Sequence, residues 1–372
     1  MKVHGKPYRS IWADSDRREV AIIDQTLLPH AFEIRTLRSV DEAALAIRSM
    51  QVRGAPLIGV TAAFGVALAM EAGTSEGSLN GAISLLGATR PTAVNLAWAL
   101  ERMRGHLSAL PSAQRASAAW AEAQRIADED VEINRNIGLH GLPILRDLAA
   151  RKQRTLNVLT HCNAGWIATV DWGTALSPIY QAHEAGIPLH VWVDETRPRN
   201  QGLLTAWELR EHGVPHTLVT DNAGGHLMQH GKVDMVIVGA DRVTRNGDVC
   251  NKIGTYLKAL AAHDNGIPFY VAVPGPTIDW AVSDALREIH IEERSGDEVR
   301  WIAGLDPQGR PARVAIAPDQ ETVANPGFDV TPSRLVTGIV TERGVAAPGA
   351  LQALFGIQPA AGARIPSGAS IQ

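Results

Sequence analysis

The sequence predicts an α/β protein with a parallel sheet in its C-terminal part, preceded by a smaller, mainly helical N-terminal domain that starts with a β-hairpin. Three observations predict this. Short apolar runs rich in β-branched residues recur after Thr155 (LNVLT, LHVWV, HTLVT, DMVIVG, FYVAV and RVAIA), mostly separated by helix-length segments such as LLTAWELREHG. Three runs begin alike, in AGIPLH, HGVPHT and NGIPFY. Glycine suits the residue just past a helix end and proline cannot continue the helix, so each triplet reads as a helix stop and a strand start. The first 145 or so residues lack this alternation. Continuously apolar strands between helices imply a parallel sheet covered on both faces, a Rossmann-like arrangement.

In chain order, VAIIDQ (20–25) and AFEIRTL (31–37) flank a turn containing Pro29 and read as a strand pair. SVDE (39–42) is a capping box ahead of DEAALAIRSM. Helices are expected from Pro56, from about Thr92 (VNLAWALERM), and from about Ser112 to Asn136. The expected division is an N-terminal domain over 1–145, a Rossmann-like catalytic domain over 146–358 and a flexible tail over 359–372.

Composition narrows the function classes. A chain of 372 residues can build two proper cores, and 45% hydrophobic with 20% charged residues is ordinary for globular proteins. A net charge of −4 with no long basic run argues against nucleic-acid or anionic-membrane partners. A few basic residues converging on a small anion remain compatible with it. Two cysteines are too few for a disulfide framework, and MKVHGKPYRSIW contains no apolar signal segment. The uncharged apolar stretch from Ala55 to Met70 is shorter than the roughly 20 residues that span a bilayer. A cytoplasmic protein with reduced thiols is expected.

In a parallel sheet, ligands bind beyond the carboxyl ends of the strands. The segments there are THCNAG, DETRPRNQG, TDNAGG, GADRVTRNGDVCNKIG and PGPT. Cys162 stands among polar loop residues, where the turn after it would lower its pKa. The opposing reading is a buried, inert cysteine. Asp241 directly follows a strand, and it either faces the ligand, caps a helix or pairs with Arg242 or Arg245. Arg53 and Gly54 precede a helix with Pro56 in its first turn, a good anion seat unless Arg53 merely makes a surface pair. Arg90 repeats the arrangement before Pro91 and Thr92. Lys252 would add a second positive charge for a phosphate, and Asn251 a neutral donor. The Cys and His spacings of metal sites are missing, as are the GxGxxG and GxxxxGK[ST] fingerprints, so neither metal nor dinucleotide is expected. His161 reads as a packing or hydrogen-bonding residue.

Together, RGAPLIG, THCNAG, DETRPRNQG, TDNAGGHLM, VGADRVTRNGD and NKIGTY, in this order and spacing, resemble the S-methyl-5-thioribose-1-phosphate isomerases of methionine salvage. That family shares a superfamily with ribose-1,5-bisphosphate isomerases and with regulatory subunits of a translation-initiation exchange factor. The similarity runs from about residue 10 to 345. It implies a homodimeric aldose–ketose isomerase without a cofactor, with Cys162 and Asp241 catalytic. Arg53, Gly54, Ala55, Arg90, Gln201, Asn251 and Lys252 would bind the sugar phosphate. The regulatory subunits do not maintain the Cys and Asp pair as catalytic machinery, and both residues are present here. Departures from the family pattern are Trp166, Asp171, Trp172, SPIY (177–180), a segment after Gln201 that looks one residue short, and Cys250. These would reshape the pocket around the C5 substituent, leaving 5-deoxyribose 1-phosphate and ribose 1,5-bisphosphate as related candidate substrates.

Overall fold

The computed structural model describes residues 1–357 except 15 and 17, so the expected tail over 359–372 lies outside the described residues. A seven-stranded sheet forms the centre of the C-terminal part. Its strands are β6 (Leu156–Thr160), β7 (Leu189–Asp194), β8 (His216–Val219), β9 (Met235–Val238), β12 (Phe269–Ala272), β17 (Gly338–Thr341) and β18 (Gly344–Ala346). The spatial order is β18-β17-β12-β9-β6-β7-β8. Every neighbouring pair is parallel except the terminal hairpin β17–β18. All residues of β9 and β17 are buried, as a sheet covered on both faces requires.

This order places the functional edge. The chain moves outward from β6 through β7 to β8, returns to β9 on the other side of β6, and continues to β12 and β17. The carboxyl ends of β6 and β9 therefore adjoin at the topological switch point, where a crevice opens. The recurrent joints behave as the sequence indicates. Gly186, Gly213 and Gly266 have φ values of 74°, 72° and 65°. They close helices α6 (Leu176–Glu184), α7 (Gly202–Glu211) and α9 (Thr255–Asp264) and lead into β7, β8 and β12.

The N-terminal part begins with a short ribbon, β1 (Lys2–Val3) and β2 (Lys6–Pro7), and a three-stranded antiparallel sheet. In that sheet β3 (Ile11–Asp14) joins the expected pair β4 (Glu19–Ile23) and β5 (Ile34–Leu37). Ser39 caps α1 (Val40–Arg48) by accepting from the Glu42 N–H at 3.2 Å, whereas Glu42 accepts from the Arg38 N–H instead of returning to Ser39. Helix α2 (Ala55–Ala72) is apolar on all sides, with fifteen of its eighteen residues buried. It is long and apolar enough to cross a membrane by length and composition, yet 83% of it lies inside the protein. Helices α1, α3 (Glu76–Gly87), α4 (Val94–Ser108) and α5 (Ser112–Lys152) surround it, which is why it needs no polar face.

Two expectations need correction. Helix α5 does not stop near Asn136 but runs 41 residues to Lys152, through Gly138, Gly141 and Pro143, so the division placed at 145/146 falls inside it. The glycines there are packing residues rather than breakers. A Cβ on Gly138 would sit 2.1 Å from Gln181 Nε2, and one on Gly141 would sit 2.5 Å from Pro178 Cγ, both on α6. RVAIA, in turn, is no part of the large sheet: β15 (Pro311–Ala315) pairs antiparallel with β14 (Trp301–Leu305), and most of its side chains are exposed. The place expected for it belongs to the glycine-flanked β17. A smaller sheet, ordered β13 (Ile278–Asp279), β10 (Arg242–Thr244), β11 (Val249–Lys252) and β16 (Phe328–Thr331), hangs below the carboxyl end of β9. Helix α8 (Ala223–Gln229) lies between β8 and β9 in the chain.

The α5–α6 contact gives a stability prediction. Alanine is the better helix former by roughly 1 kcal/mol, but Gly141→Ala drives a methyl into the rigid Pro178 ring. The substitution should destabilise the protein by about 1–3 kcal/mol, as overpacking does. A denaturant titration with unchanged slope and lowered midpoint checks this.

Candidate active site

At the switch point lies a cleft of about 760 Å³, lined by all nine residues singled out from the sequence: Arg53, Gly54, Ala55, Arg90, Cys162, Gln201, Asp241, Asn251 and Lys252. Cys162 follows β6 in left-handed backbone conformation, with φ 68°. Two threonines hold this uncommon geometry. The Cys162 N–H donates to Thr196 Oγ1 at 2.8 Å, and the Cys162 carbonyl accepts from Thr205 Oγ1 at 2.8 Å. The expected lowering of the thiol pKa is not found; burial raises it, against the pull of Arg53 and Lys252. The physical reason is local: the loop after Cys162 enters only a three-residue turn, Trp166–Ala168, so the thiol gains no helix N-terminus.

Asp241 is anchored through its backbone N–H to the Cys250 carbonyl at 3.0 Å. Among the described residues, no hydrogen bond or ion pair is made by its carboxylate. The readings as a cap or an Arg242 partner therefore fail, since Arg242 lies 3.3 Å from Asp279 and donates to the Thr92 carbonyl at 2.7 Å. Burial raises the Asp241 pKa, opposed by Lys252, Arg90 and Arg53.

Gly54 has φ 97°, and a Cβ there would lie 2.3 Å from the Ala168 carbonyl oxygen, so only glycine lets the α2 start dock onto this loop. Arg53 reaches across it, donating to Asn163 Oδ1 and, at 2.7 Å, to the Asn163 carbonyl. Lys252 Nζ donates to the Gly327 carbonyl at 2.8 Å and stands 4.7 Å from the Phe328 ring centroid. Burial lowers the pKa of both Arg53 and Lys252. Arg90 lies 3.3 Å from Glu292, in a turn ahead of α4, which starts only at Val94; it is not the helix-start residue the sequence indicated. Asn251 Nδ2 donates to Thr255 Oγ1 at 3.0 Å. Among the described residues, Gln201 Oε1 has no hydrogen-bond partner and is a buried acceptor at the cleft.

Several expectations about the walls change. Trp166 and Trp172 do not line the cleft. Trp166 packs on Trp207 at 6.1 Å between centroids, and Asp171 accepts from the Met1 amino group at 2.7 Å. His161 lines the cleft and is fixed at both nitrogens, 3.1 Å from Asp194 Oδ2 and 2.8 Å from the Ile253 carbonyl. Its ring nitrogen, Asp194 and Asp221 come within ion-binding distance of one another, but Lys258 Nζ already stands 3.1 Å from Asp194. Sequence reasoning missed Met50, Asn163, Thr174 and Phe328, which also line the cleft. Asn163 was legible only as part of THCNAG, and Phe328 comes from a distant strand without a motif.

A family model described as the initiation factor 2 subunit family matches residues 51–348. The methylthioribose-1-phosphate isomerase of Sinorhizobium medicae is 61% identical over 360 residues, covering 95% of this chain and 99% of the relative. The chain belongs to the methylthioribose-1-phosphate isomerases of that family. A second isomerase of this name, from Acidiphilium cryptum, is 63% identical over 359 residues, covering 95% of this chain and 98% of its own. The crystal structure of the 5-methylthioribose 1-phosphate isomerase from Pyrococcus horikoshii superposes with a TM-score of 0.81 at 42% identity, covering 94% of this chain and 96% of that one. The structure titled translation initiation factor eIF-2B, subunit delta, from A. fulgidus gives 0.77 at 41% identity, covering 94% and 100%.

The thiol environment sets a prediction for this isomerase-family site. Cys162 is raised, and Cys250 is pushed up to about 12 by burial and Asp241. Both remain thiols at neutral pH. Iodoacetamide should label each more slowly than a free cysteine at pH 8, with Cys162 the faster because it lines the cleft. Peptide mass spectrometry over time checks the order.

Proposed function

We propose that the protein is an aldose–ketose isomerase that converts S-methyl-5-thio-α-D-ribose 1-phosphate to S-methyl-5-thio-D-ribulose 1-phosphate, acting in the cytoplasm as a homodimer without a cofactor. The observation that carries this reading is the meeting of a thiol and an unpaired carboxyl, Cys162 and Asp241, in one cleft with three cations. Arg53, Arg90 and Lys252 would hold the phosphate, with Asn251, Gln201 and the backbone at Gly54 and Ala55 placing the sugar. Met50, Ile58, Pro274 and Phe328 offer apolar surface in the same cleft, which suits a methylthio group at C5 better than a second phosphate.

The phosphate on the anomeric oxygen removes any free aldehyde, so the ring must open first. Protonation of the ring oxygen as its bond to C1 breaks is general-acid work, and Asp241, held toward its neutral form by burial, would supply that proton. The C1 cation then takes the hydrogen of C2. A buried thiol is a weak base, which favours a direct hydride shift from C2 to C1 over proton abstraction. Cys162 sulfur stabilises the passing positive charge, and the C2 hydroxyl proton returns to the Asp241 carboxylate, so the acid is regenerated.

Phosphorus and carbon NMR of the purified protein with S-methyl-5-thioribose 1-phosphate tests the reading, with ribose 1,5-bisphosphate and 5-deoxyribose 1-phosphate in parallel. The methylthio substrate should become a ketose phosphate fastest. Asp241→Asn should slow it by roughly 100- to 10,000-fold, the range of acid–base assistance, and Cys162→Ala by roughly 100- to 1,000-fold, as loss of a group that stabilises transition-state charge does. No turnover of any of the three would move the chain to a regulatory role. In deuterated water the product should carry no deuterium at C1; its appearance there would sink the hydride route.

A further inference from the structure

Glu208 is a buried carboxylate that the chemistry above does not use. It lies on α7 with no exposed surface, behind the wall that carries Cys162 and Arg53. Its Oε1 accepts from Asn163 Nδ2 at 2.7 Å, and its Oε2 accepts from the Trp166 N–H at 2.7 Å and the Tyr180 hydroxyl at 2.8 Å. The loop is shaped for it: a Cβ on Gly165 would lie 1.9 Å from Oε2.

We propose that Glu208 is a positioning residue of this site, which turns the Asn163 amide so that its oxygen faces Arg53 and thereby fixes the guanidinium at the cleft wall. An ionised carboxylate only accepts, so Asn163 must present its NH₂ to Glu208 and its Oδ1 to the other side. Arg53 only donates, so Oδ1 is the one orientation that satisfies it, with the Asn163 carbonyl taking the second guanidinium nitrogen. Thr205, one turn earlier on α7, ties the same loop by bonding both the Cys162 carbonyl and Asn163. A donor at position 208 would reverse Asn163 and bring NH₂ against guanidinium.

The relay titrates. Burial raises the Glu208 carboxyl to about 7, while its three hydrogen bonds and Arg53 pull it back. The groups facing it are Tyr180 from α6 and Arg53 from the start of α2. Asp171 and His212 stand around Tyr180; the His212 ring is 4.6 Å from it and 3.3 Å from Glu184. As pH falls through about 7, Glu208 gains a proton; Oε2 already accepts from two donors, so the proton falls on Oε1, which then presents a donor to Asn163 in place of an acceptor.

The kinetic consequence rests on the isomerase reading, so the test pairs kinetics with a readout free of substrate. For the wild-type protein, kcat/KM should fall on the acid side near pH 7. Glu208→Gln should lack that limb and run roughly 10- to 100-fold lower on the plateau through KM, as a misplaced anchor does. Tyr180→Phe removes a donor to the carboxylate but keeps the acceptor logic, so its plateau should survive and its acid limb should move to higher pH. Crystal structures of wild type and Glu208→Gln should differ in Arg53, withdrawn from Asn163 in the variant. A wild-type pH profile in Glu208→Gln, or an Arg53–Asn163 pair retained there, overturns the proposal. If the wild type turns over no sugar phosphate, the isomerase reading fails separately, and the Arg53 position still decides for or against the relay.

Discussion

The contact between Arg53 and Asn163 is the joint on which the cleft depends. One partner precedes the buried helix α2 of the N-terminal part, and the other belongs to the loop after β6 of the large sheet. Without it the cations and the thiol would belong to two surfaces rather than one cleft. The close approach of Gly54 to the Ala168 backbone makes the joint geometrically feasible, and the hydrogen-bonded Glu208 carboxylate behind Asn163 completes it. A buried guanidinium is tolerable only when its donors are met, and here two are met by one asparagine.

The joint encloses groups that burial drives toward their neutral forms. Burial raises Cys162, Asp241 and Glu208 and lowers Arg53 and Lys252. In water an aspartic acid is a poor proton donor at neutral pH, and a cation gains little from a phosphate. In a desolvated cleft each becomes more effective, because charge is costly there unless it is paired. An arriving phosphate dianion would add charge pairing to Arg53 and Lys252, whose contacts are the neutral Asn163, the Gly327 carbonyl and the Phe328 ring, while Arg90 already faces Glu292.

How much of this was legible in the sequence follows from what each signal measures. The parallel sheet was readable because continuous apolar runs and the Gly-x-Pro joints at 186, 213 and 266 are local facts. RVAIA was misleading because periodicity reports β-branched composition, not which sheet a strand joins; β17, short and glycine-flanked, gave too little to notice. Helix α5 runs past its expected end near Asn136 through Gly138 and Gly141, which the contact with α6 requires and which no local pattern marks as helical. The cleft residues could be read because polar residues directly after apolar strands have few structural excuses. Glu208 could not: in AWELREHG a glutamate on a short helix looks solvent-facing, and only the fold turns it inward.

Burial at the switch point holds Asp241 toward the protonated state that ring opening needs. The most direct measurement is a carbon-13 NMR titration of the protein labelled at the aspartate carboxyls, with Asp241→Asn identifying the resonance. Asp241 should titrate above the roughly 3.9 of an unperturbed aspartate. Titration at or below that value would contradict it, because the cleft cations would then outweigh desolvation and leave the site without its acid.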